Sequence, residues 1–62
     1  MQEAIILTGN NLKQFCTDLN INQNTSKIII IINNERAEYY NFDDDCLYNL
    51  DINIALNYLK TK

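Results

Sequence analysis

The apolar positions of this chain fall into separate clusters, and the spacing within each cluster predicts an element. Glu3 to Thr8 is a short apolar run that stops at Gly9, the only glycine, which suits a strand followed by a turn. Leu12, Phe15, Cys16 and Leu19 recur at i, i+3, i+4 and i+7, while Lys13, Gln14, Thr17 and Asp18 fill the opposite side. That is one face of an amphipathic helix over about residues 12–19. Asn11 stands where an N-cap belongs, with Gln14 three residues on in capping-box spacing. Asn20 to Ser26 is polar and helix-breaking apart from Ile21, which is expected to tuck under the helix end. Ile28 to Ile32 is an unbroken β-branched run, which favours a strand. Asn33-Asn34 then makes a plausible tight turn, because Asn tolerates positive φ. Arg36 to Phe42 reads as a short return segment and Asp43-Asp44-Asp45 as a solvated turn.

The last cluster fits two templates. Leu50, Ile52, Ile54, Leu56 and Tyr58 alternate with Asp51, Asn53, Ala55, Asn57 and Leu59, the period of a strand. A helix template catches Leu47, Leu50, Ile54 and Tyr58 but leaves Ile52 and Leu56 outside its stripe. The alternation favours a strand from Leu50 to Leu59. The element order is then strand, helix, strand, short strand, strand, within a single domain spanning residues 1–62 and without repeats or linkers.

The isoleucine strand has no polar side. If Ile28, Ile30 and Ile32 face the helix, Ile29 and Ile31 face away from it and need cover from elsewhere in the chain, from a second copy or from a partner. A chain of 62 residues buries only about 60% of the surface its unfolded form exposes, so little of it is left over to cover a second face. Intermolecular cover is favoured.

Charge adds a polarity. Glu35, Glu38, Asp43, Asp44, Asp45 and Asp51 share a stretch with the single base Arg36, whereas residues 1–34 balance and Lys60 and Lys62 make the tail basic. A field of that sign attracts basic protein surfaces and repels nucleic acid, so direct nucleic-acid binding is not expected. The abundance of Asn and Ile points to an AT-rich source, such as a plastid, a low-GC bacterium or one of their phages. No signal-peptide pattern and no run of membrane-spanning length occurs, and an intracellular setting is expected: bacterial cytoplasm, plastid, or host cytoplasm for a phage product. Cys16 and Cys46 could form one disulfide if the fold brought them together. Two separate reduced residues is the favoured reading.

Chemistry is sparse. There is no His, one Ser and one Gly, which excludes triads and glycine-rich phosphate cradles, and no catalytic residue is assigned. Two Cys cannot close a thiolate metal site, and consecutive Asp residues lack the alternating spacing of a calcium loop, so neither metal nor cofactor is expected. Cys46 follows three carboxylates, which disfavour a reactive thiolate. Tyr39 and Tyr40, amphipathic and close to the acids, make a contact patch together with Asp43, Asp44 and Asp45.

From Leu12 to Ile54 the order of features resembles the ThiS/MoaD group of sulfur carriers, which have the ubiquitin-like β-grasp fold. The residues that carry the resemblance are Leu12, Phe15, Cys16 and Leu19, then Ile28 to Ile32, the Asn33-Asn34-Glu35 turn, Phe42-Asp43, Leu47 and Ile52-Asn53-Ile54. The resemblance implies an α+β fold: a small β-grasp-like mixed sheet with one helix packed on one face. Two features depart from the family. The segment before the helix is short for its opening hairpin, and the Gly-Gly terminus that the carriers adenylate and convert to a thiocarboxylate is replaced by Leu59-Lys60-Thr61-Lys62. What carries over is the fold and a habit of docking on other proteins, not sulfur transfer. The leading expectation is a non-catalytic protein-interaction module, related to a thiamine-type carrier that has lost its terminus. It would bind a basic protein or a second copy through Ile29 and Ile31 or through Tyr39, Tyr40, Asp43, Asp44 and Asp45. The alternative is a small acidic inhibitor from a phage or mobile element, of the anti-CRISPR or nucleic-acid-mimic type, that blocks a host nucleic-acid-binding enzyme.

Overall fold

The computed structural model describes residues 2–60. Its elements are β1 (Gln2–Leu7), α1 (Gly9–Leu19), β2 (Ile28–Asn33), β3 (Arg36–Asn41), β4 (Cys46–Leu50) and α2 (Ile52–Lys60). Thr61 and Lys62, part of the basic tail, lie outside the described residues. The fold is α+β, a four-stranded sheet in the order β1-β2-β3-β4 with two helices. Every pairing is antiparallel, so the expected mixed sheet does not form among the described residues. The residues that were to supply a final strand are helical, and β1 pairs directly with β2 across the α1 excursion.

Both helices lie on one face of the sheet. Ile5 and Leu7 of β1, Ile28, Ile30 and Ile32 of β2, Ala37 of β3 and Leu50 of β4 are buried in one cluster with Leu12, Phe15 and Cys16 of α1 and Ala55 of α2. Phe15, fully buried, is the hub: its ring meets Tyr39 edge-on at 5.3 Å and Tyr58 of α2 at 5.4 Å, geometry favoured by the aromatic quadrupole. A buried polar pair ties the loop after α1 to the end of β3. The Thr25 hydroxyl lies 3.1 Å from Asn41 Oδ1, which also accepts the Asp43 N–H at 2.9 Å.

The first helix starts earlier than its periodicity implies. Gly9, at φ +59, turns the chain from β1 straight into α1, with extended Thr8 as N-cap and no side-chain cap. The Asn11–Gln14 capping box is therefore not formed, and Gln14 instead donates to Asp18 at 2.8 Å, one turn on. At the other end Asn20 adopts a left-handed conformation (φ 56, ψ 45) and its N–H returns to the Cys16 and Thr17 carbonyls. The Ile21 N–H bonds Cys16 O at 2.8 Å, and Ile21 packs against the core as expected.

The strand expected from Leu50 to Leu59 is instead the end of β4 followed by α2. Asp51 marks the boundary: its carboxylate accepts the Asn53 N–H at 2.8 Å and its carbonyl the Ala55 N–H at 3.1 Å, which is how an N-cap satisfies the first turn. Period two places Leu56 inside and Ala55 outside, but Ala55 is fully buried and Leu56 is 38% exposed. Ile52, Ala55 and Leu59 make the inward stripe, flanked by Ile54 and Tyr58. In so apolar a segment both periods find matches, and the cap decides between them.

Candidate functional site

A sheet with both helices on one side leaves the other side bare. The registers align Ile6, Ile29, Tyr40 and Leu47 in one row across all four strands, and Ala4, Ile31, Glu38 and Asn49 in the next. Alternation sends these residues to the face opposite the core. Ile6 is 63% exposed and Leu47 52%, while Ile29, Ile31 and Tyr40 are half-buried by their strand neighbours. An apolar band thus runs edge to edge across a surface that no element of the described chain covers.

Phe42 and Lys27 extend the face at one end. Phe42 meets Tyr40 edge-on at 4.8 Å, and Lys27 Nζ stands 4.9 Å from the Phe42 ring centre. The Tyr40 hydroxyl donates to Asp45 at this same end, and Arg36 lies on the face at the other end, paired with Asn33. The charges of the face are therefore Lys27 and Arg36 against Glu38 and Asp45. They balance, in a chain whose net charge is −3, so the excess negative charge lies on other surfaces.

The structure places the expected contact residues in three locations. Ile29, Ile31 and Tyr40 share the open face, as the lack of a polar side in β2 implies. Tyr39 does not join Tyr40. It points to the helix side, where it meets Phe15 and stacks on Tyr48 at 5.1 Å, and burial pushes its phenol pKa up, with the Asp44 charge adding to the effect. Consecutive strand residues take opposite faces, so Tyr39 and Tyr40 could not form one patch. Asp43, Asp44 and Asp45 occupy the β3–β4 turn, and each is engaged. Asp43 accepts the Ser26 N–H at 3.4 Å, Asp44 accepts the Cys46 N–H at 3.1 Å and the Tyr48 hydroxyl, and Asp45, at φ 56, accepts the Tyr40 hydroxyl. Hydrogen bonding to Asp44 holds the Tyr48 phenol well above its ordinary range.

Sequence reasoning missed Ile6, Leu47 and Phe42 as members of the face. For Ile6 the signal was present in the chain: with Ile5 and Leu7 turned inward, the residue between them must turn outward. Other candidate chemistry is thin. A groove of about 240 Å³ between the helices is lined by Asn11, Gln14, Asp18, Asn57 and Tyr58. There, burial and a hydrogen bond to Asp18 at 3.1 Å push the Tyr58 phenol up to about 12. Among the described residues no cluster of three metal-ligating side chains forms, and no helix is long and apolar enough to cross a membrane. Cys16 is buried and Cys46 exposed, both as free thiols, and burial raises the Cys16 pKa, with the Asp43 charge adding to it. Comparison with protein-family models, with curated proteins and with solved structures finds no match.

Proposed function

We propose that this protein is a non-catalytic interaction module whose working surface is the open face of its sheet. The observation that carries the reading is the uncovered row Ile6–Ile29–Tyr40–Leu47. A small domain has few apolar side chains to spare, and a contiguous apolar band outside the core is the kind of surface that marks an interaction site. Tyr40 and Phe42 supply aromatic anchors, a residue type enriched at the centres of interfaces. The docking habit implied by the sulfur-carrier resemblance agrees with this reading, although the antiparallel sheet lends that ancestry no support. The test is the binding of an apolar fluorescent probe to the folded protein. Leu47→Lys is expected to leave the circular dichroism spectrum intact and to lower probe binding by more than half. Unchanged probe binding in a folded variant would sink the proposal.

The turn Asp43-Asp44-Asp45 favours the second reading, an inhibitor that presents fixed carboxylates to the basic groove of a nucleic-acid enzyme. Its support is that tyrosine hydroxyls and backbone N–H groups hold all three in place, so little side-chain freedom remains to be lost on binding. On this reading, replacing the three by Asn slows association with the target far more than it speeds dissociation. An on-rate indifferent to salt removes it.

A further inference from the structure

We infer that the occupant of the open face is a second copy of this chain, packed sheet to sheet about a two-fold axis that runs along the strands between β2 and β3. The inference rests on the interaction-face reading and adds the partner. Its first ground is charge. The chain carries −3, yet Lys27 and Arg36 on the face are balanced by Glu38 and Asp45, so two copies meet here on faces that carry no net charge. A basic partner, by contrast, is drawn to the surfaces where the excess acid lies.

The second ground is the order of residues across the sheet. A two-fold along the strands lays β1 of one copy on β4 of the other and β2 on β3. The apolar row then meets itself: Ile6 faces Leu47 of the other copy, and Ile29 faces Tyr40. At one end Lys27 comes onto Phe42 and beside the Asp43–Asp45 turn of the other copy, repeating between copies the cation–π contact already present within each. Further along, Glu38 of one copy lies over Ile31 of the other, with the other copy's Arg36 diagonally beside it and its Glu38 one strand across. The other two-fold lying in the face, perpendicular to the strands, lays each strand on its own copy, and through the apolar row it sets Ile31 against Lys27 and Glu38 against Phe42. The first is favoured because it sets Lys27 on the Phe42 ring rather than on an isoleucine.

The size of the face sets the strength. Four strands about 4.8 Å apart, each about 20 Å long, present a face of about 400 Å² in plan. Two such faces together bury about 800 Å², below the range of stable interfaces and in that of weak, transient ones, so dissociation is expected in the range of about 10 µM to 1 mM.

The experiment is sedimentation equilibrium of the full chain across that range, with Ile6→Lys and Leu47→Glu alone and mixed. The wild type is expected to pass from monomer to dimer. Each substitution enters the homodimer at two contacts, so a tenfold penalty per contact becomes about a hundredfold in Kd, and each variant alone is expected to be monomeric. In the mixture, one contact pairs the introduced charges and the other is native, so a mixed dimer returns. Wild type that stays monomeric at about 1 mM overturns the self-pairing while leaving the face free for another protein. A dimer untouched by either substitution also overturns it, because pairing through strand edges does not involve these side chains. If both variants lose their circular dichroism spectrum, the positions are interior and the interaction-face reading falls too, and in that event the wild-type sedimentation still decides self-pairing.

Discussion

Ile29 and Ile30 are adjacent, chemically identical and in the same strand, so substituting Thr at each isolates what the tertiary structure does to them. Thr keeps the β-branched backbone preference, which removes strand propensity from the comparison. Ile30 has no exposed surface and sits on the helix side among Ile5, Phe15 and Tyr39. Thr keeps one methyl but loses two carbons, which forfeits about 1.5–2 kcal/mol of apolar burial. It also sets a hydroxyl with no partner in the core, for a further penalty of about 1–3 kcal/mol. The sum, roughly 3–5 kcal/mol, matches what a core of this size can supply in total, so Ile30→Thr is expected to be largely unfolded at 25 °C. Ile29 is half-buried on the open face, its new hydroxyl reaches water, and Ile29→Thr is expected to cost less than about 1 kcal/mol in the monomer. Urea denaturation followed by circular dichroism reads both, at a protein concentration low enough to exclude dimer. Equal losses at the two positions, or the larger loss at Ile29, would show that the sheet is covered on both sides and would refute the assignment of faces.

The C-terminal helix makes the opposite claim to period-two patterning. Leu56→Ser is expected to change stability by within about 0.5 kcal/mol, whereas Ala55→Glu, which drives a carboxylate into the core, is expected to prevent folding; the reverse pattern in thermal melts restores a strand. At the left-handed Asn20, Asn20→Gly is expected to be neutral or slightly stabilising and Asn20→Val to lose about 1–2 kcal/mol in urea titration. Tyr58 has a folded pKa of about 12 against an ordinary 10.0, so its contribution is intact below pH 10 and is lost as pH rises towards 12. With allowance for solvent screening it amounts to about 1 kcal/mol. In Tyr58→Phe that part of the alkaline slope should be missing, and an unchanged slope would assign it to other groups.

Much of this molecule is decided by local chemistry that is legible in the chain. The i, i+3, i+4, i+7 spacing from Leu12 to Leu19 can bury one stripe only as a helix. Five consecutive β-branched residues favour an extended backbone, and Asn33-Asn34 can turn it, as the φ of 57 at Asn34 bears out. The outward turn of Ile29 and Ile31 follows from these elements alone, because a strand with no polar side must send apolar groups both ways. Local pattern was insufficient where two readings bury similar apolar area. From Leu50 to Leu59 strand and helix both bring apolar residues inward, and the choice rested on Asp51, whose carboxylate caps α2, and on Ala55, small enough to sit fully buried beneath it. The packing of α2 beside α1 then determined which sheet face stayed bare. The alignment of Ile6, Ile29, Tyr40 and Leu47 is a property of register between strands up to about forty residues apart in sequence, and no local spacing encodes a register. The separation of Tyr39 from Tyr40 has the same origin: composition made them one patch, and the pleat of β3, once its pairing was set, put the sheet between them.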